Sequence, residues 1–583
     1  MNYFMYLGID IGGTWIKGAM AGDQFLQAIQ LSDMKYLHVN KVNSPLHTKA
    51  KLSEFVKAMN KLIASLQVKY EEINGIGIST AGIVNYHGTK ILRTAPHLNI
   101  LKCESWTRGL EKKFQCKVSL INDADATTIG LAETGVLTGN KTVGILAVGT
   151  GLGFSVWRNG RRWRPGRSLP LLGSIKIPDG NFDTMVSAAG LASIDENNNL
   201  INVLTNLSYQ KERESYIQNL VKVINSAAIL YNLNNVFICG GLADAAIACD
   251  YPLEKNLNDS LQETPVELEK SVKVVVSNEG NRLQLIGALA LAKGESIAIK
   301  DKIDFRYNTV ETEIPYRKDI QLQNMRSTAI IKIMWQAEQE AGETLKSSLP
   351  FISNIAGKSV DRIRAGGRMI YVGAGTSGRI AAMDAIEIPC TYGFPEDRML
   401  ALIAGGISDE AMSIESDFEE DASAVPEMLL LNIQSKDVVI GISSSGAAYY
   451  VQSALAFAKG RKALSVLIQT KLPDKKLPFC DYVIPLNSGN EVVAGSTRMK
   501  AGTATKKVLN FLSSTIMIKI GKVSGPYMVN VACINNKLVK RAQSILKILY
   551  GINEKDALKM LKKAEMDLRL VLKNIQTNKM EQS

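Results

Sequence analysis

The sequence predicts an α/β protein built as two consecutive halves, the second of them a doubly wound parallel sheet. Three observations lead there. Short β-branched runs alternate with helix-length amphipathic stretches over most of the 583 residues. A polar, aperiodic stretch, KIDFRYNTVETEIPYRKD, interrupts that alternation near the middle. Glycine-rich turns follow strand-like runs on both sides of it, the sequence form of a phosphate cradle.

In chain order, the runs MYLGID, INGIGIST, KVSLINDAD, TVGILAVGTG and NNVFICGG read as strands, with helix-like stretches such as LSEFVKAMNKLIASLQ between them. They define a first domain over residues 1–300, and the polar stretch is read as a linker over 301–320. From Gln321 a long helical segment leads into RMIYVG, MLALIAG, DVVIGIS, ALSVLIQ and DYVIPL, strands separated by helix-length segments that belong to one parallel sheet over 321–525. Residues 526–583 read as helical, ending in a frayed QTNKMEQS. No internal repeat is visible.

Composition narrows the function. With 46% hydrophobic and 21% charged residues and no long apolar run, the chain is expected to be soluble, without a membrane partner. The start lacks a basic n-region, and the seven cysteines are scattered without a Cys-x-x-Cys pair, which points to a reducing cytoplasm and away from disulfides or structural zinc. The formal charge of +12 is spread over helix-like segments without a basic, aromatic stripe. That argues for a basic surface attracting anionic phosphoesters and against nucleic acid.

In the first half, IDIGGTWIKG sets Asp10 at a strand end before Gly12, Gly13 and Thr14; VGTGLGF supplies Gly149, Thr150 and Gly151, and FICGG supplies Gly240 and Gly241. Three such turns fit one nucleotide, since glycine lets backbone N–H groups approach phosphate oxygens. Asp123, in INDADA after a β run, is placed to take the proton of an attacking sugar hydroxyl. A turn-forming Asp10 and a helix-capping Asn-Asp pair are the plainer readings, and the agreement among the glycine turns favours catalysis.

These motifs, with GIGISTAGIVN and APHLNI, resemble the ROK family of sugar kinases in family order. The resemblance implies an actin-like (ribonuclease H-like), two-lobed ATPase fold using ATP with Mg2+. It assigns Asp10, Gly12, Gly13, Thr14 and Lys17 to the phosphate and metal side, Gly149 to Gly151 to a second phosphate turn, and Gly240 and Gly241 to the adenosine side. Asn99 and Asn122 would hold sugar hydroxyls, and Asp123 would be the base. The chain departs from the family at LLGSIKIPDGN, where Leu171 or Leu172 and Ser174 stand for the usual Glu and His, and the cysteine zinc loop is missing. A sugar that needs apolar room, or a weakened kinase, would follow.

In the second half, YVGAGTSGR sets Gly373, Gly375 and Gly378 around Thr376 and Ser377 at a helix start, and GISSSG repeats the device with Ser443, Ser444 and Ser445. Hydroxyls, backbone donors and the helix dipole suit a dianionic monoester without a lysine. These turns resemble the SIS sugar-phosphate domain, and EVVAGSTRMKAGTATKKVLN narrows the resemblance to N-acetylmuramic acid 6-phosphate etherases. Such an enzyme needs two acid/base groups and no metal or cofactor. The resemblance makes Glu387 the acid that protonates the leaving lactyl oxygen. Aligned without gaps, SIESDFEEDAS matches Glu415 but puts Phe418 where the base is expected; Glu419 or Glu420 serves if the helix slips. Arg498 and Lys500 would neutralise substrate anions, and GAAYY departs from the family's Arg-Thr-Pro.

The reading is a fused sugar kinase and etherase that turns an amino sugar into its 6-phosphate and then removes D-lactate. The second half is expected to pair as a homodimer. A regulatory alternative comes from the likeness to the glucokinase regulatory protein, whose SIS domains sense a sugar phosphate without breaking it.

Overall fold

The structure is a computed structural model. It describes residues 4–580 except 31–32, 34–36, 47–50, 68–71, 86–87, 95, 138–141, 164–171, 178–179, 264–271, 278–279, 301, 304–310, 406–421, 531–532 and 534–535. Two compact units emerge, the first containing the described residues up to Lys300 together with Ser423–Asn432, the second the other described residues.

The first unit has two five-stranded sheets. One comprises β1 (Met5–Ile11), β2 (Trp15–Gly22), β3 (Val39–Asn43), β4 (Ile73–Thr80) and β5 (Val118–Asn122) in the order β3-β2-β1-β4-β5. The other comprises β6 (Val143–Val148), β7 (Leu152–Arg158), β8 (Arg161–Trp163), β9 (Asn235–Cys239) and β10 (Lys273–Val276) in the order β8-β7-β6-β9-β10. In both, the first three strands are antiparallel and the last two join the first in parallel. The topology therefore repeats although no repeat shows in the sequence, and this is the expected two-lobed, actin-like arrangement. The apolar run of β1 follows from its central place: Leu7, Ile9 and Ile11 enter one core and Tyr6 another, so both faces are buried.

Two helices begin where strands end, α1 (Asp123–Glu133) after β5 and α2 (Gly241–Ala248) after β9; α3 (Gly280–Lys300) packs on α1, β1 and β4. The packing of α3 on α1 depends on missing side chains. A Cβ on Gly287 would lie 2.1 Å from the Ala126 carbonyl oxygen, and one on Gly130 would lie 2.2 Å from that of Leu283. The two backbones touch, which fixes the helix that starts with Asp123.

The second unit is one parallel sheet of β11 (Met369–Gly373), β12 (Met399–Ile403), β13 (Val438–Ile442), β14 (Leu464–Gln469) and β15 (Tyr482–Pro485) in the order β12-β11-β13-β14-β15. Before it come α4 (Ser327–Thr344) and α5 (Leu349–Arg364); α6 (Gly375–Tyr392) follows β11. A short helix α7 (Val425–Leu430), then α8 (Tyr449–Gly460) and α9 (Lys500–Lys519), complete the set. Met369, Tyr371, Val438, Ile440 and Val466 share one core with residues of α5, α6 and α9.

Four expectations change. The stretch 311–319 is not a loose linker: Gly495 N donates to Thr312 O (2.8 Å) and Tyr316 N to Glu491 O (2.9 Å), binding it to the second unit. After Gly525 the chain first closes a small ribbon, Val523–Ser524 with Tyr527–Met528, because Gly525 turns with φ 53°. Helices resume at Asn536, and the last one continues to Met580 rather than fraying at Gln576. Within the expected SIS span, residues 423–432, including α7, belong to the first unit, where α7 packs on α1 and α3. No described helix is long and apolar enough to cross a membrane.

Candidate functional site

Parallel pairing levels the ends of β1, β4 and β5: Ile11 pairs with Thr80, and Thr80 with Asn122. Three chain segments thus leave the sheet together. Asp10 is buried there, receiving a hydrogen bond from Ser79 Oγ (3.0 Å), with Lys17 Nζ 3.7 Å from its other oxygen. Burial raises its pKa, while Lys17 and Ser79 pull the other way. Gly12 N donates to Trp15 O (3.0 Å), closing the turn that carries Gly13 and the exposed Thr14.

Asp123 opens α1. Burial pushes its carboxyl up to about 7; the Ala124 N–H donated to its Oδ1 (2.8 Å) opposes this, and the charges of Asp10 and Asp125 add to it. Asn122 is the helix cap, its Oδ1 accepting from Ala124 N (3.1 Å) and Asp125 N (3.3 Å) while its Nδ2 donates to Gly82 O (2.8 Å). Both polar atoms thus have partners within the protein, where the resemblance expects sugar hydroxyls. Asn99 is exposed in the 3-10 turn Pro96–Lys102.

The second sheet delivers its turns in the same way, because Ala147 of β6 pairs with Cys239 of β9. A Cβ on Gly241 would come within 3.9 Å of Gly149 Cα, so the Gly149–Gly151 and Gly240–Gly241 turns adjoin. Gly149 N donates to Gly151 O (2.9 Å), and Thr150 is exposed at the tip. These turns reach Asp123 from two sides. A Cβ on Gly153 would lie 3.4 Å from that of Ala124, and the Cys239 thiol, pushed up to about 12 mainly by burial, also feels the charges of Asp244 and Asp123. Asp10, Asp123 and the glycine turns therefore share one edge of the first unit.

Three residues at this edge carry no motif of their own. Ser79 orients Asp10; its place at the end of INGIGIST, level with Asp10 across the sheet, is a usable signal. Asp183 accepts the Leu152 N–H, and a Cβ on Gly151 would lie 2.8 Å from its Oδ1, so it supports the second phosphate turn from below. Arg162 of β8 pairs with Asp125 of α1 at 2.6 Å with both side chains wholly buried. Leu172 is buried in a 3-10 turn with Ser174, and Leu171 lies outside the described residues.

In the second unit, Gly373 pairs with Ile442, so the turns after β11 and β13 leave the sheet side by side. The first is shaped by contact of backbone on backbone: a Cβ on Gly373 would meet Gly378 N at 2.6 Å, and one on Gly378 would meet Gly373 O at 2.9 Å. Gly375 (φ 49°) begins α6, with half-buried Thr376 and Ser377 in its first turn. In the second turn Gly446 N donates to Ser443 O (3.1 Å), Thr470 Oγ1 to Ser444 O (2.7 Å) and Ala447 N to Ser445 Oγ (3.1 Å). Glu387 is exposed further along α6. Arg498 is exposed, but Lys500 is buried with its Nζ 4.9 Å from the Tyr316 ring centre, at the start of α9. That helix start is capped by the buried Glu491, which accepts the N–H groups of Lys500 (3.1 Å) and Ala501 (2.9 Å). Glu415, Phe418, Glu419 and Glu420 lie outside the described residues.

Comparison with known proteins follows the same division. The ROK family model matches residues 6–175, and the model of the glucokinase regulatory protein N-terminal SIS domain matches residues 352–459. The N-acetylmuramic acid 6-phosphate etherase of Petrotoga mobilis is 38% identical over 270 residues, 46% of this chain and 91% of that protein. The etherase of Mycoplasma mycoides subsp. mycoides is 35% identical over 273 residues, 46% of this chain and 90% of its own length. A solved ROK family glucokinase from Streptomyces griseus, in complex with glucose and AMPPNP, is 18% identical, covering 50% of this chain and 99% of its own with a TM-score of 0.41.

Proposed function

We propose a function from this premise: the C-terminal half of the chain belongs to the N-acetylmuramic acid 6-phosphate etherase family, and its N-terminal half carries a ROK-family domain. The first unit phosphorylates N-acetylmuramic acid or a related amino sugar at O6, and the second cleaves the lactyl ether of the 6-phosphate. The observation that carries this is the fusion of the two families in one chain, since the product of one reaction is then the substrate of the other.

In the first unit the residues present suit a nucleotide. The glycine turns carry no side chain at Gly12, Gly13, Gly149, Gly151, Gly240 and Gly241 to keep phosphate oxygens from the backbone, and Asp10 at the end of β1 is a buried carboxylate. ATP with Mg2+, when bound, supplies the phosphoryl group. Asp123, raised to about 7, is a stronger base than an ordinary carboxylate and takes the proton from the sugar O6 as that oxygen attacks. Asp183 and Ser79 hold the phosphate turn and Asp10 in place.

In the second unit the serine turns hold the 6-phosphate. A carboxylate of the 406–421 stretch removes the C2 proton, Glu387 protonates the ether oxygen as the C3–O bond breaks, and water adds to the resulting double bond. D-lactate and N-acetylglucosamine 6-phosphate leave. Glu387 lies on an exposed face of α6 beside Met383 and Ile386 (66% exposed), and α4 exposes Ile331 and Trp335 (65%). These faces support a homodimer, in the cytoplasm where phosphorylated amino sugars are found. The match to the regulatory SIS model favours a second reading, a sensor that binds the sugar phosphate without cleaving it.

Supplying the full chain with N-acetylmuramic acid and ATP tests both. ADP is expected first, then D-lactate that depends on ATP. If Phe418 replaces the base, lactate release is slow, Phe418→Glu speeds it, and Glu419→Gln and Glu420→Gln leave it unchanged; with a slipped helix one of those two Gln variants is dead. No lactate from wild type or Phe418→Glu, with kinase rates that respond to sugar phosphate, establishes the sensor.

A further inference from the structure

We propose that the amino edge of the second unit's sheet carries a binding cleft for linked phosphates, on the opposite edge from the serine turns. A cleft of about 760 Å³ opens where β14 and β15 begin, at Leu464 and Tyr482, and between the last turns of α5 and α8. That volume is the size of a small-molecule site.

Its lining is strongly cationic. Lys358, Arg362, Lys459, Lys462 and Lys476 are five of its ten residues. Across the chain Lys and Arg are 68 of 583, so ten residues taken at random would hold about one. Among the described residues none of the five takes part in an ion pair. Two carboxylates share the lining, Asp361 and Asp481, the latter exposed and accepting from Ser465 N (3.1 Å) and Ser465 Oγ (2.9 Å), so five cations face two anions.

Cations at the C-terminal ends of α5 and α8 would by themselves suit the helix dipoles. That explanation covers only part of the set. Lys459 Nζ donates to Pro478 O (2.5 Å) and Arg362 to Lys462 O (3.2 Å), carbonyls outside both helices, so these two are pinned to the walls with their charge retained. Lys358 lies over the Tyr482 ring (5.3 Å) at the strand start, and Lys476 comes from the loop before β15. Cations from two helices and a loop thus converge on one concavity, outnumbering its carboxylates five to two. A chain of two or three phosphates fits that spread of charge better than a single monoester.

Calorimetry of the full chain with inorganic tripolyphosphate tests the cleft. Saturable binding is expected, weakened about tenfold or more by Lys462→Glu with Lys476→Glu, similarly by Lys358→Glu, and by raised salt. Ser377→Ala with Ser444→Ala should not change it. Competition by ATP would make the natural ligand a nucleotide, and its failure would make it inorganic polyphosphate. Binding kept in full by the lysine variants would assign the ligand to the first unit's glycine turns and overturn the proposal, as would loss of binding in the serine variant or no saturation by about 1 mM, the weak end of specific binding.

Discussion

An ordinary aspartate is a weak base for a sugar hydroxyl, and Asp123 differs from one because of its neighbours. Burial and the charges of Asp10 and Asp125 raise it to about 7, so near neutral pH it is about half ionised and holds a proton far more tightly than a free carboxylate. Kinase turnover should therefore climb as pH rises through about 7, because only the ionised form accepts a proton. Asp123→Asn should fold normally and lose about 10² or more in rate, with the limb near 7 abolished. A rate profile of that variant against pH decides the matter, and near-wild-type turnover would remove Asp123 from the mechanism. The motif INDADA singles this residue out, but its raised pKa comes from burial and in part from Asp10, more than a hundred positions away in the chain, and only the fold supplies both.

At the scale of elements, α1 is held against the β7–β8 hairpin that begins at the Gly149–Gly151 turn. Two contacts hold it: Thr128 and Ser155 hydroxyls 2.6 Å apart, and the buried Asp125–Arg162 pair at 2.6 Å. Removing one partner leaves a buried charge uncompensated, so Arg162→Met should lower unfolding free energy by about 3–5 kcal/mol. Adding Asp125→Asn should restore much of it. Denaturant titration of the single and double variants separates a charge effect from a packing effect, since packing loss alone would leave the double variant no better. Strands were legible in the sequence because β1, β11 and β13 are buried on both faces and read as continuous apolar runs. This pair was not: Arg162 is one of several arginines in WRNGRRWRPG, and nothing local marks the one that turns inward.

For the molecule as a whole, the polar stretch at 301–320 suggests a clean cut between halves, and the chain does not honour it. Residues 423–432 return to the first unit, where Val425, Met428 and Leu429 are buried and Asn432 Nδ2 donates to Gly160 O (3.3 Å). VPEMLLL reads as core helix in any context, so no sequence pattern could say which core it joins. Glu295 of α3 belongs to the same region, wholly buried and pushed up to about 7, mainly by burial, with Ser423 and Ser119 hydroxyls and Lys117 opposing and Glu111 adding. A carboxyl raised in the folded state favours folding while it stays protonated: its contribution is complete below the unfolded value near 4.5 and is lost as pH rises through about 7. Glu295→Gln should accordingly flatten part of the fall in Tm between about pH 5 and 7. A fragment of residues 1–300 lacks α7, uncovers apolar surface on α1 and α3, and exposes Glu295 to water. Burial of three large apolar side chains contributes several kcal/mol, at roughly 1.5–3 each, so this fragment should melt well below the full chain and tend to aggregate. Fusing residues 423–432 to its end through a flexible linker should recover much of the loss. A fragment as stable as the whole chain would mean that α7 adds nothing to the first unit, and that the two activities can be parted at the linker.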